Sequence, residues 1–195
     1  MKAEEPQPFS TSLSWLLENP VARAHAGRLL GLLDIRPGMH VLDVGCGPGR
    51  LALPVARLVG ESGEVVGLDV QRRMLQRLER RAAARRLTNL RTVHSAAGDG
   101  ALESGHYDLA LLVSVLGEIP PHRRQAAVDE IAEALRPGGV LAIAEGRPDP
   151  HRQSKEAVIA TTEAAGLRLL RVDSVWLGFL MQVGKRQSPP GRGSA

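Results

Sequence analysis

The sequence predicts an α/β domain: a mostly parallel sheet with helices on both faces. Three observations carry that expectation. Short apolar runs alternate along the chain with amphipathic segments of helical period. The run from Glu64 to Leu68 is continuously apolar rather than alternating, as in a strand buried on both faces. The last two runs, Leu167 to Ser174 and Leu177 to Gly184, are separated by so few residues that they should pair antiparallel as a hairpin.

A chain of 195 residues suits one domain with a sizeable core. At 43% hydrophobic and 24% charged residues it has the composition of a soluble globular protein. No apolar run approaches the roughly 18 residues that cross a bilayer. The opening MKAEEPQPFSTS is acidic and polar and lacks the apolar core of a signal peptide, so a cytoplasmic location is expected. Cys46 is the single cysteine, which excludes a disulfide framework and a cysteine metal cluster; no metal is expected. The net charge of +4 rests on arginine, with lysine only at Lys2, Lys155 and Lys185. Such a skew reflects either coding composition or a nucleic-acid surface.

In chain order, residues 1–34 read as an N-terminal helical cap. Leu13, Leu16 and Leu17 sit at helical spacing, and Asn19-Pro20 supplies an N-cap and first residue for a second helix. That helix should turn Val21, Ala24, Leu29, Leu30 and Leu33 towards a core. The main domain, 35–184, opens with a turn at Arg36-Pro37-Gly38 and a buried strand at His40 to Val44. The strand ends in the glycine-rich GCGPG. A helix is expected over Arg50 to Val59, with Pro54 near its first turn, where the missing N–H costs little. The second strand, Glu64 to Leu68, runs to Asp69.

Gln71 to Arg86 is a strongly amphipathic helix with Met74, Leu75, Leu78 and Ala82 inward and Arg73, Arg77, Arg81 and Arg85 on another face. Nothing aromatic interleaves those arginines to stack on bases, so a solvated face is favoured over a nucleic-acid stripe. Strands follow at Leu90 to His94 and Tyr107 to Val113, separated by a small-residue loop from Ser95 to His106. A loop over Ser114 to Pro121, a helix from about Arg123 to Leu135 and a tight turn at Arg136 to Gly139 lead to a fifth strand, Val140 to Glu145. A loop from Gly146 to Arg152 and a helix over Lys155 to Ala165, ended by Gly166, precede the hairpin. The tail, 185–195, is rich in Gly, Pro and Ser and is expected to be disordered.

Ligands of such sheets bind beyond the carboxyl ends of the strands. Gly45, Asp69, the Ser95 loop, Ser114 and the Gly146 loop all fall there. Gly45, Gly47 and Gly49 let a ligand approach the backbone, and a helix that opens straight after them presents free N–H groups. Asp69 is placed to accept both hydroxyls of a ribose, or to cap the following helix; the two roles are compatible. The ribose belongs to a dinucleotide or to S-adenosylmethionine. A dinucleotide fingerprint places its last glycine where Arg50 stands here, and the chain has no room for a separate catalytic domain, so hydride transfer is disfavoured.

With these residues in hand, the sequence resembles the class I S-adenosylmethionine-dependent methyltransferases, particularly their small-molecule branch. VLDVGCGPG matches that family's first motif and GEVVGLDV its second; YDLALLVSVLGEIP resembles the fourth-strand motif, and LRPGGVLAIAE the turn and fifth strand. The resemblance spans Ile35 to Gly184. It implies a Rossmann-like, seven-stranded, mostly parallel sheet with an antiparallel last strand, and S-adenosyl-L-methionine as cofactor. It also implies that Asp43 and the backbone of Val44, Gly45, Cys46, Gly47, Pro48 and Gly49 face the methionine part, Asp69 the ribose and Val70 the adenine, with Ser114 and Val115 closing the site. The family's acidic adenine contact falls at Ala96 when counted from the strand and at Asp99 when the Gly-Asp pair is matched. Ala96 would act through its backbone, Asp99 through its side chain. Cys46 reads as a small loop residue with no histidine nearby in sequence to activate it.

Methyl transfer needs a general base only if the acceptor must lose a proton. Glu118, Asp149 and His151 lie on the rim; Glu118 and His151 are the catalytic candidates, with Glu118 equally readable as a capping or structural carboxylate and Asp149 and His151 as loop-forming residues. His122 begins a helix and reads as structural. The chain has no Asn-Pro-Pro-aromatic motif after the fourth strand, as amino-methylating DNA enzymes would have, and no Pro-Cys pair. A small-molecule acceptor is therefore expected, covered by the N-terminal helices (Phe9 and Trp15 as lid residues), by a partner subunit in a homodimer, or by nothing. The competing readings are an rRNA- or tRNA-type methyltransferase and a non-catalytic binding protein that keeps the fold.

Overall fold

The computed structural model describes residues 20–146, 149–175 and 178–187. The expected helix at Leu13 to Leu17, the Asn19 cap, the lid residues Phe9 and Trp15, and all of the tail past residue 187 lie outside the described residues. The elements run α1 (Pro20–Leu30), β1 (His40–Val44), α2 (Ala52–Val59), β2 (Glu64–Asp69), α3 (Arg72–Ala83), β3 (Leu90–His94) and β4 (Tyr107–Val113). They continue with α4 (Arg124–Ala134), β5 (Leu135–Gly146), α5 (Lys155–Ala164), β6 (Leu167–Val175) and β7 (Gly178–Lys185).

The seven strands form one sheet in the order β3-β2-β1-β4-β5-β7-β6. The pairs among β1 to β5 are parallel, and β7 runs antiparallel to both β5 and β6. The sequence reverses direction in space between β3 and β4, on either side of β1, so the loops after β1 and β4 meet at the switch point.

Period-2 alternation sends each strand's side chains to two cores. Leu42, Val44, Leu112 and Ile143 pack with Val128 and Ile131 of α4 and Val158 of α5. On the opposite face, Val41, Val65 and Leu111 pack with Ala26 and Leu29 of α1, Val55 and Val59 of α2, and Leu75 and Leu78 of α3. Each fully buried aliphatic side chain contributes about 1.5–3 kcal/mol. The α3 stripe of Met74, Leu75, Leu78 and Ala82 is buried as expected. In α1 Leu29 and Leu30 are buried as expected, with Ala26 completing an i, i+3, i+4 set, and Leu33 past its end packs against the same core; Ala24 is exposed rather than inward. No helix among the described residues is long and apolar enough to cross a membrane.

Several boundaries differ from expectation, among them the end of α3, which stops at Ala83 rather than Arg86. The glycine turn continues through Leu51, so α2 starts at Ala52 and Pro54 sits inside its first turn. A 3-10 turn at Pro121–Arg123 delays α4 to Arg124. The Arg136-Pro137-Gly138-Gly139 segment is part of β5 rather than a free turn: Leu135 pairs with Tyr107, and the register shifts between Tyr107 and Leu109. A Cβ at Gly139 would lie 2.9 Å from the carbonyl oxygens of Arg136 and Tyr107, so this crossing admits no side chain.

Candidate functional site

The glycine loop after β1 is shaped by three glycines that act differently. All have positive φ: +67° at Gly45, +52° at Gly47 and +89° at Gly49. A Cβ on Gly45 would meet Val115 Cγ2 at 2.4 Å, and one on Gly49 would meet Leu78 Cδ1 at 2.4 Å. These two positions are glycine because protein packs against them. A Cβ on Gly47 would meet nothing within 4 Å, so only there does the loop face open space. Cys46 turns inward; its sulfur would lie 2.9 Å from a Cβ on Gly67 of β2. Burial, with Asp43 and Asp69 nearby, pushes its thiol well above the ordinary range, which removes it as a nucleophile.

Asp69 ties this loop to the next. Its Oδ2 accepts the Gly47 N–H at 2.8 Å and its Oδ1 accepts the Gln71 N–H at 2.7 Å. Gln71, not Asp69, is the N-cap of α3. Each carboxylate oxygen has a second lone pair, so these bonds orient the group without using up its acceptor capacity. Burial raises the Asp69 carboxyl above its usual value, against the pull of the two N–H groups and His94. Val70, next along, is 50% exposed, an apolar surface at the lip of the site. Arg81, from the arginine face of α3, donates to the Pro48 carbonyl at 2.8 Å, so part of that face supports the loop.

Asp43 lies at the head of the loop on β1 and is 3% exposed. Burial raises its carboxyl from 3.8 to about 7, opposed by the Arg50 charge and the Ala52 N–H and reinforced by Asp69. Its Oδ2 is buried without a hydrogen-bond partner. A buried acceptor in that state costs free energy until a donor reaches it. It fits the amino group of a methionine moiety.

Ala96 is half-buried at the start of the loop after β3, and its carbonyl accepts the Asp99 N–H at 3.3 Å. The Asp99 carboxylate is turned to Arg123 at the start of α4 and paired with it. Glu130 of α4 holds the same loop by accepting the N–H groups of Gly98 and Leu102. Ser114 follows β4 with φ +57°, a strained left-handed conformation for a non-glycine residue. Its N–H donates to the Ala144 carbonyl at 2.8 Å, which seats Val115 on Gly45.

On the acceptor side, the loops after β4 and β5 touch. A Cβ on Gly117 would lie 2.2 Å from the His151 carbonyl oxygen. Glu118 therefore sits next to the His151 loop, and the contact between the loops is backbone. The His151 side chain is exposed; the backbone N–H of this residue donates to Asp149 Oδ1 at 2.8 Å, and its backbone carbonyl accepts from Gln153 Nε2 at 2.7 Å.

Sequence reasoning missed two residues here. Arg124 bridges the loops, donating to the carbonyls of Ile119 and Gly117 and to Gln153 Oε1. Glu145, 2% exposed at the end of β5, accepts the Gln153 N–H at 3.1 Å through Oε2, while Oε1 has no partner. Burial raises its carboxyl from 4.5 to about 7, and Asp149 adds to the shift. The available signal was an acidic residue ending a strand that is otherwise apolar.

Comparison with known proteins bears on the family and the fold. Residues 41–139 match a family model described as "Methyltransferase domain". Nocamycin O-methyltransferase of Saccharothrix syringae is 36% identical over 137 residues, covering 67% of this chain and 45% of the relative. Demethylmenaquinone methyltransferase of Staphylococcus aureus (strain MRSA252) is 30% identical over 114 residues, covering 58% of this chain and 46% of the relative. The chain thus spans less than half the length of these curated relatives. Among solved structures, a SAM dependent methyltransferase from Aquifex aeolicus superposes with a TM-score of 0.81 at 24% identity, covering 90% of this chain and 98% of its own, a likeness of fold.

Proposed function

Because this chain belongs to the methyltransferase domain family, and so to the S-adenosylmethionine-dependent methyltransferases its motifs resemble, we propose that it transfers a methyl group from S-adenosylmethionine to a small-molecule acceptor. The observation that carries the reading is the partnerless, buried Oδ2 of Asp43 at the head of a loop whose central glycine faces open space. In this reading Asp43 receives the amino group of the methionine moiety, and the backbone from Val44 to Gly49 lies along it. Asp69 accepts the ribose hydroxyls with its remaining lone pairs, and Val70 lies against the adenine. The Asp99–Arg123 pair leaves the Ala96 backbone as the favoured adenine contact. Ser114 and Val115 close the site.

When bound, S-adenosylmethionine supplies a methyl group on a sulfonium, open to in-line displacement. The task left to this chain is alignment and exclusion of water, and proximity supplies much of the rate. Arg124 and Glu145 hold the two acceptor-side loops in register. His151 and Glu118 are the proposed bases for an acceptor that must lose a proton. We take residues 1–34 as the cap over the acceptor, 35–184 as the cofactor domain and 185–195 as a tail, working in the cytoplasm. The names of these relatives support a small acceptor, since nocamycin and demethylmenaquinone are small molecules.

Calorimetry with S-adenosylhomocysteine tests the cofactor half: binding in the micromolar range is expected, and no detectable heat would refute it. Methylation of a panel of small hydroxylated acceptors tests the other half. Transfer to RNA instead, with affinity falling steeply with salt, would overturn the acceptor class.

A further inference from the structure

At the opposite ends of the strands from the glycine loop, three side chains converge. His40 opens β1, Glu64 opens β2 and His106 immediately precedes β4; these are three adjacent strands of the sheet. His106 Nε2 lies 2.9 Å from Glu64 Oε2 and 3.1 Å from His40 Nδ1. All three ligand atoms fall within 4.8 Å of one another. The cluster is half-buried, with the His106 and Glu64 side chains 26% and 28% exposed.

The chemistry of the three atoms makes this arrangement informative. A neutral imidazole offers a lone pair on one ring nitrogen, and a carboxylate oxygen offers two. Glu64 Oε1 is occupied by Arg91 Nε at 2.7 Å, which leaves Oε2 as the oxygen turned to His106. Glu103 Oε2 lies 3.5 Å from His106 Nδ1, on the other nitrogen of that ring. A cation among the three atoms would take a lone pair from each.

We propose that His40 Nδ1, His106 Nε2 and Glu64 Oε2 form a zinc(II) site, with the fourth position open to water. Two imidazole nitrogens and one carboxylate are a zinc ligand set. Tetrahedral bonds of about 2.0–2.1 Å separate ligand atoms by roughly 3.3 Å, close to the 2.9 and 3.1 Å from His106 Nε2 to Glu64 Oε2 and His40 Nδ1. The surroundings support the three groups: Glu103 lies behind His106, Arg91 holds Glu64, and the backbone N–H of His40 donates to Asp108 Oδ2 at 2.7 Å, which fixes the chain at that residue. The ion would clamp the starts of β2 and β1 to the entry of β4. This proposal does not depend on methyl transfer.

The test uses the untagged full chain, stripped with a chelator and titrated with zinc sulfate. One zinc(II) per chain is expected, with a higher melting temperature on saturation. Cobalt(II) should give the strong visible d–d bands of a four-coordinate site. His106→Gln and His40→Gln should each weaken zinc(II) binding at least 100-fold and abolish the melting shift. Glu103→Gln should weaken it about 10-fold, as loss of an outer-shell partner does. Failure of the wild-type chain to bind zinc(II) or to give the cobalt(II) spectrum would overturn the proposal. So would unchanged affinity in a folded His40→Gln or His106→Gln chain. Should either variant fail to fold, the wild-type stoichiometry and cobalt(II) spectrum still decide the matter.

Discussion

With Asp43 as the proposed partner of the cofactor's amino group, cofactor binding should depend on pH in a range where an ordinary aspartate would give no dependence. Burial holds the Asp43 carboxyl at about 7 instead of 3.8. If it receives a charged amino group, it must be ionised to do so. A group of that pKa is about three-quarters ionised at pH 7.5 and about 3% ionised at pH 5.5. An α-amino group titrates near 7.7–8.0, so the ligand stays largely cationic over the same interval. Affinity for S-adenosylhomocysteine should therefore fall about 25-fold between pH 7.5 and pH 5.5, or ~1.9 kcal/mol. Calorimetry at several pH values measures the slope. Buffers of different ionisation enthalpy at pH 7 should reveal about half a proton released per binding event, by the same titration. Asp43→Asn keeps the shape of the side chain and removes its titration. It should bind weakly with a shallower profile, the residual slope coming from Asp69, whose carboxyl burial also raises. A flat wild-type profile, or an Asp43→Asn variant that keeps the full slope, would refute the assignment of Asp43.

The glycine loop predicts opposite failures for two similar substitutions. Gly47→Ala should fold with a loss of about 1–2 kcal/mol from the left-handed backbone yet lose at least tenfold in cofactor affinity, whereas Gly45→Ala collides with Val115 and should lower the melting temperature more. Equal melting and binding in the Gly47→Ala and wild-type chains would count against the open face as the binding surface. For Glu145, with a folded pKa of about 7 against 4.5, the folded state keeps a proton that the unfolded state loses. That contribution is full below pH 4.5 and is lost as pH rises to about 7, a fall of about 3 kcal/mol. Glu145→Gln should remove it and be the more stable chain above pH 7 in urea titrations; an unchanged pH slope would refute the burial argument. In the turn that follows α3, Arg86 has φ +54°, with Leu87 N–H donating to the Ala82 carbonyl and Arg86 N–H to the Ala83 carbonyl, a Schellman-type cap without glycine. Arg86→Gly should stabilise by about 1 kcal/mol, read as a rise in melting temperature; no rise would mean that the left-handed residue is not strained.

Much of this was legible because strands report themselves locally. β1, β3 and β4 fall at the expected residues, since short apolar runs bounded by glycine, asparagine or histidine loops leave little freedom in register. Helix starts were harder. Leu51 continues the turn and makes no side-chain cap, so nothing in the sequence marks Ala52 as the first helical residue. The turn at Arg136 to Gly139 was misread because its pairing depends on Tyr107, nearly thirty residues away. At the site, residue types announced the loop and Asp69. Sequence could not separate the packing glycines from the open one, since that difference lies in Val115 and Leu78. Arg124 was invisible for the same reason: its partners come from two loops that meet only in the fold. His40, Glu64 and His106 share no motif spacing, so their convergence follows from strand order alone.

The two ends of the sheet treat their carboxylates differently, and the contrast bears on function. At the amino ends, carboxylates have arginine partners: Glu64 and Glu103 with Arg91, and Asp108 with Arg136. The Glu64 carboxyl is accordingly held below its usual value. At the carboxyl ends, Asp43, Asp69 and Glu145 are buried and their carboxyls are all raised. Asp43, Glu145 and Asp149 also keep an oxygen with no hydrogen-bond partner. A folded chain gains nothing from leaving carboxylates in that state, because each orphaned acceptor costs about 1–3 kcal/mol. Packing alone would favour an apolar residue or a counter-ion at each position. Retaining them is reasonable if a ligand supplies the missing donors, so the free energy withheld in folding is recovered on binding. The amino end needs no organic ligand by that criterion. What distinguishes it is the convergence of two imidazoles and Glu64 Oε2, which is why a metal is proposed there and a cofactor at the opposite rim.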